Sequence, residues 1–166
     1  MNDDRKQKII DKLGEAMEKA VGNHNCLEYE RKENELLQLF LKGIISDREL
    51  EYALSRNKRH FAEVTLYKIE EIEFALRYLG VSEEEINRMV AHEQAHFKEA
   101  VVGGFDKARF CIRFDVTPDG QLRTSVGTQL CISNKTGLTD GKKRKMIRNA
   151  AAAPIDPSES DRKLSE

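Results

Sequence analysis

The stretch from Phe110 to Ile132 constrains the fold more than any other. Its apolar residues fall on even positions: Phe110, Ile112, Phe114 and Val116, then Leu122, Val126, Leu130 and Ile132, with Thr124 and Thr128 completing the second set. A period of two places them all on one face of an extended chain. Between the sets lies Thr117-Pro118-Asp119-Gly120-Gln121, which carries strong hairpin chemistry. A two-residue loop would turn the two apolar sets to opposite faces. A three-residue Pro-Asp-Gly loop with Gly120 left-handed instead pairs Thr117 with Gln121, Phe114 with Thr124 and Ile112 with Val126, and keeps both sets together. In that register Cys111 and Cys131 lie on the polar face, several residues apart along the ladder, and cannot bridge. With Cys26 they make an odd set lacking any CxxC pairing, so free, reduced thiols are expected.

Upstream of Gly103-Gly104 the period is 3.6. Residues 3–22 carry Ile9, Ile10, Leu13, Met17, Ala20 and Val21 at helical spacing and stop at Gly22-Asn23. A second helix is expected over about 27–42, ending near Gly43, and Ser46 with Glu49 reads as a capping box opening a third. Phe61, Val64, Leu66, Ile69, Ile72, Leu76 and Leu79 predict a fourth helix over about 60–79, closed by Gly80. Ser82 with Glu85 opens a fifth, running to Gly103-Gly104. Past the hairpin, KKRKMIRNAAA predicts a helical turn or two, interrupted by Pro154 and Pro157; Ser158, Ser160 or Asp161 would cap a last short helix.

The expected fold is therefore α+β: four to five N-terminal helices, then an antiparallel β-hairpin packed by its even face on the fifth helix, then a short C-terminal segment. One domain over residues 1–153 is expected, with a helical part at 1–58 and the fifth helix plus hairpin as the core of 60–132. Residues 154–166 form a tail. Charged residues make up 34% of the chain and the net charge is −1, which gives no overall pull toward nucleic acid or an anionic membrane. KKRKMIR (142–148) is a local basic run without interleaved aromatics, so nucleic-acid binding is not expected from it. No apolar run has the length of a signal peptide or a membrane span, and a cytoplasmic protein is expected.

The fifth helix contains HEQAH: His92, Glu93 and His96. Residues four apart share a helical face, so His92 and His96 can aim imidazole nitrogens at one point about 2 Å from each, as a zinc ion requires. Glu93 stands beside that point, where a carboxylate takes a proton from water and returns it to a leaving amine. Ile86, Met89, Val90, Phe97 and Val101 flank the motif and put it at the core edge, where an unpaired histidine pair would be costly without a metal. His60, after RNKR, and His24, in GNHN, read as surface residues.

HEQAH resembles the HExxH motif of the zincin class of zinc metallopeptidases. That resemblance implies His92 and His96 as zinc ligands, Glu93 as catalytic base and a peptide or protein as substrate. The extended metzincin form is excluded, because Glu99 stands in the glycine position and Val102 in that of the third histidine. A catalytic zinc needs a third protein ligand. Asp161 matches the pattern of membrane-tethered AAA proteases, whose zinc domain pairs HExxH with a distant aspartate, and ranks first. Glu159 matches the gluzincin pattern and ranks second, ahead of Asp106 and Asp115; Glu99 shares the motif helix but would close a tetrahedron poorly. The competing expectations are a helical scaffold that docks a partner, its motif metal-free or holding a structural metal, and a zincin-like domain that binds without cleaving.

Overall fold

The computed structural model describes residues 1–22, 26–103, 107–131 and 138–166. Along them run α1 (Asp3–Gly22), α2 (Cys26–Leu41), α3 (Asp47–Lys58), β1 (Ala62–Leu66), α4 (Ile69–Tyr78), α5 (Glu83–Val102), β2 (Lys107–Val116), β3 (Leu122–Cys131), α6 (Asp140–Ala152) and α7 (Glu159–Ser165). The chain is α+β. Ser46 and Ser82 each accept the backbone N–H three residues on, and so start α3 and α5. Gly80, at a φ of 82°, closes α4. His24, Gly104, Asp106 and Ile132 lie outside the described residues, as do the side chains of Leu130 and Cys131.

The hairpin register is the one its loop dictates. Phe114 faces Thr124 and Ile112 faces Val126. The Thr117 N–H donates to the Gln121 carbonyl at 2.8 Å, and Gly120 takes a φ of 88°, a conformation a side chain would strain.

Residues 60–79 are not one helix. Ala62, Val64 and Leu66 are buried and alternate with partly buried Glu63 and Thr65 as β1, and only Ile69–Tyr78 is helical. The apolar residues of this run fit both periods, and β-branched Val64 and Thr65 beside a free sheet edge decide for the strand. β1 pairs antiparallel with β2, Val64 opposite Ile112, giving the sheet order β1-β2-β3. This makes β2 central and β3 an edge. Glu71 marks the strand–helix junction: its carboxylate accepts the Tyr67 N–H at 2.9 Å and Arg5 Nε at 2.6 Å.

The even face of the sheet and the helices α1, α4 and α5 share one core, built on Ile9, Leu13, Leu66, Ile72, Leu76, Ile86, Ile112 and Phe114. Ile112 sits at its centre and is fully buried. Ile112→Ala is expected to cost about 2–5 kcal/mol, read from the midpoint of urea unfolding. The odd face is not solvated as the polar pattern suggests. Arg113 lies over the Phe61 ring at 3.7 Å and reaches Glu63 at 3.0 Å and Glu33 of α2 at 3.5 Å. Cys111 is free but buried on that face, opposite Gly127, while Cys131 pairs with Lys107.

The segment after the hairpin is more ordered than its composition suggests. α6 is a full thirteen-residue helix, and its basic run grips the end of α2. Arg144 Nε donates to the Phe40 carbonyl at 2.6 Å and Arg148 to that of Leu41 at 2.8 Å, while Lys143 pairs with Asp47. Cations thus meet the last carbonyls of a helix, where its dipole is negative. Met146 and Ala150 pack on Ala100 in a second, smaller core that seats α6 on α5. Among the described residues, no helix is long and apolar enough to cross a membrane.

Candidate metal centre

α5 presents His92, Glu93 and His96 toward the sheet and the C-terminal helices. The Nε2 atoms of His92 and His96 are 3.2 Å apart. Asp161 of α7 stands against both: Oδ2 is 3.1 Å from His92 Nε2, and Oδ1 is 3.3 Å from His96 Nε2. Among the described residues these three form the group whose ligand atoms converge for a metal. A tetrahedral zinc with bonds of about 2.0–2.1 Å separates its ligand atoms by about 3.3–3.4 Å. The Nε2–Nε2 spacing matches within a few tenths of an ångström, an Asp161 oxygen stands at a similar distance from each imidazole, and two imidazoles with a carboxylate are donors that zinc accepts.

The outer nitrogens are held too. His96 Nδ1 donates to the Ala150 carbonyl at 2.7 Å, and His92 Nδ1 lies 3.3 Å from Asp156 Oδ1. Partners on Nδ1 leave Nε2 facing inward, the orientation metal-binding histidines need. Sequence explains why the Ala150 carbonyl is accessible. Its donor in a continuing helix would be the N–H of residue 154, and that residue is Pro154. Only the longer bond from the Ala153 N–H, at 3.3 Å, remains.

Asp161 is positioned by a local device. Ser158 caps α7, its side chain accepting the Asp161 N–H, while the Ser158 N–H donates to Asp161 Oδ2 at 2.9 Å. This reciprocal box fixes the carboxylate before any contact with α5. Burial opposes its ionisation, but hydrogen bonds from His96 and the Ser158 N–H outweigh that cost and bring its pKa down to about 2. Burial likewise opposes the charged form of His96, and the hydrogen bonds to Asp161 and Ala150 overcome it and raise its pKa.

A metal held at His96 Nε2 would compete with its proton, and a pH dependence follows. Asp161 titrates lower in the fold than its ordinary 3.8, so its contribution to stability is complete above that value and lost as pH falls toward about 2. His96 titrates above its ordinary 6.5, so its contribution is complete below 6.5 and lost as pH rises through the raised value. In chelator-treated protein the contribution of the Asp161–His96 pair, read as the melting temperature lost in Asp161→Asn, is expected to be largest between about pH 4 and 6.5. Zinc affinity is expected to rise with pH across the alkaline edge of that window, as metal displaces the proton.

Glu93 is buried beside the histidines, with Oε1 4.0 Å from His92 Nε2. Its other oxygen accepts a hydrogen bond from Thr128 of β3. Burial raises its pKa, against the opposing pull of Thr128 and the histidines. Glu93 and the three convergent residues line a cavity of about 500 Å³, with Thr124–Thr128 of β3 along one wall and Met89 and Ile147 among its apolar lining.

Comparison with family models, curated proteins and solved structures returns no match. The chain's own geometry sorts the other candidates. Glu159 faces solvent and pairs with Lys163 at 3.1 Å. Asp115 is paired with Arg123 Nε at 2.9 Å, away from the histidines. Glu99, on α5, is not part of the convergent group. His60 stacks on Tyr29 with ring centroids 4.1 Å apart. Sequence reasoning missed Thr128, Asp156 and the Ala150 carbonyl. Pro154 was the available signal for the last of these; no sequence signal marks the other two.

Proposed function

We propose that this chain is a zinc-dependent hydrolase acting on peptide bonds, with His92, His96 and Asp161 as ligands and Glu93 as general base. The observation that carries the reading is the convergence of two imidazole nitrogens, 3.2 Å apart, on the Asp161 carboxylate, whose two oxygens stand 3.1 Å and 3.3 Å from them, with a buried glutamate directly beside the group. Zinc held there would supply a Lewis acid that polarises a carbonyl and lowers the pKa of water toward neutrality.

The protein's own groups then divide the work. Glu93 Oε1, the oxygen Thr128 leaves open, takes the proton from water as its oxygen attacks the carbonyl carbon. The same oxygen passes that proton to the amine nitrogen as the C–N bond breaks. Burial suits Glu93 to this exchange, because its raised pKa makes the protonated form accessible. The Ala150 carbonyl and Asp156 keep the imidazoles turned inward. Among the described residues β3 is an edge strand lying along the cavity wall, and an edge of that kind suits a peptide bound in extended form.

A mixture of internally quenched fluorescent peptides tests the reading. Cleavage is expected with the zinc-loaded protein, to stop with 1,10-phenanthroline and to return on adding zinc. A protein that binds stoichiometric zinc yet cleaves none of them would be a binding module and not a hydrolase.

A further inference from the structure

We infer that Thr128 is a positioning residue for Glu93: its hydroxyl holds the carboxylate so that Oε1 faces the zinc ligands. This rests on the hydrolase reading above and deepens it.

Thr128 Oγ1 contacts Glu93 twice, at the carboxylate Oε2 and, at 3.4 Å, at the main-chain carbonyl. Both groups are acceptors, so the hydroxyl proton must point to Glu93. That direction does not change when Glu93 gains a proton on Oε1, because Oε2 still accepts. A glutamate has three rotatable side-chain bonds, and a base that shuttles a proton works only in the orientation that reaches both water and leaving group. The hydrogen bond at Oε2 removes the last of these freedoms and determines which oxygen does the exchange. The β-branched Thr128 is itself stiff at χ1.

The hairpin loop is what delivers this hydroxyl. Thr128 belongs to the even set and lies opposite Phe110, whose ring stacks on Phe97 of α5 at 5.3 Å between centroids. A slip of one residue would turn Thr128 to the other face and bring Gly127 or Gln129 to Glu93, neither with a hydroxyl. The three-residue turn at Pro118-Asp119-Gly120 and the orientation of Glu93 are thus linked through the ladder.

The test uses acetohydroxamate, a small probe that needs both the metal and a carboxylate to receive its proton. Its affinity for the zinc-loaded full chain is measured by calorimetry, with zinc content counted in each variant. Thr128→Val keeps the shape and removes the hydroxyl, and is expected to weaken the probe about 10- to 100-fold with zinc content unchanged. Thr128→Ser restores the hydroxyl and is expected to recover most of that loss. In a Glu93→Gln background Thr128→Val should lose much less, since the carboxylate it orients is gone. On any peptide the chain cleaves, Thr128→Val is expected to lower kcat and leave KM in place. Wild-type affinity in Thr128→Val, or an equal loss with and without Glu93, overturns the inference while leaving the hydrolase reading intact. A wild-type chain that binds no zinc overturns both.

Discussion

Alanine at His92 is expected to strip the chain of zinc at concentrations where the wild type holds one ion. A complete four-ligand zinc site binds with about 10–16 kcal/mol, so one ligand's share is about 2.5–4 kcal/mol, a weakening of ~10²–10³-fold. Asp161→Ala is expected to lose a similar amount, because its carboxylate is the third convergent donor, 3.1 Å and 3.3 Å from the two imidazoles. Glu159→Ala, two residues away, should bind zinc as the wild type does, since Glu159 is turned to solvent and paired with Lys163. Metal analysis by mass spectrometry gives the stoichiometry, and competition with a chromogenic chelator gives the affinity. Melting temperatures under chelator separate ligand loss from misfolding. Wild-type zinc affinity in Asp161→Ala would remove α7 from the site.

Glu93→Gln is expected to do the opposite: keep zinc and lose turnover. General base catalysis contributes about 10²–10⁴-fold, and that factor should vanish from kcat on any peptide the wild type cleaves. Glutamine has the shape of glutamate, and its amide oxygen can still accept the Thr128 hydroxyl, so the cavity should persist. Stability should hold or rise. The raised pKa of Glu93 means that the fold disfavours its charged form, a cost that grows as pH rises above the ordinary 4.5 and that a neutral amide avoids. Denaturant unfolding near neutral pH checks this. A Glu93→Gln chain that still cleaves peptides at the wild-type rate would remove Glu93 from the chemistry.

Both variants probe residues that differ in how far sequence could foresee them. His92, Glu93 and His96 are bound by helical spacing, and Ser82 and Gly80 announce the ends of the helices around them. The hairpin register follows from the turn, because a glycine at positive φ after Pro-Asp permits one alignment that keeps the apolar faces together. These features are local: a few neighbouring residues and the geometry of the backbone suffice. β1 was not legible in the same way. Its five residues sit inside a run that satisfies a helical period as well, and pairing with β2, more than forty residues downstream, decides the matter.

The centre depends on distance of another kind. Sequence supplies an acidic C-terminal segment and ranks Asp161 first, but whether that carboxylate reaches the histidines depends on α6. Small side chains at Ala100 and Ala150 let α6 lie close on α5, and arginines from α6 fasten it to the end of α2. Only then does Pro154 leave a carbonyl where His96 can use it, and only then does the short helix after it carry Asp161 to the imidazoles. Thr128 meets Glu93 through the same kind of packing, across thirty-five positions of chain. The sequence by itself determined the motif, its helix and the turn, since each is set by neighbours within a few residues; tertiary packing alone decided which distant oxygens and hydroxyls surround it.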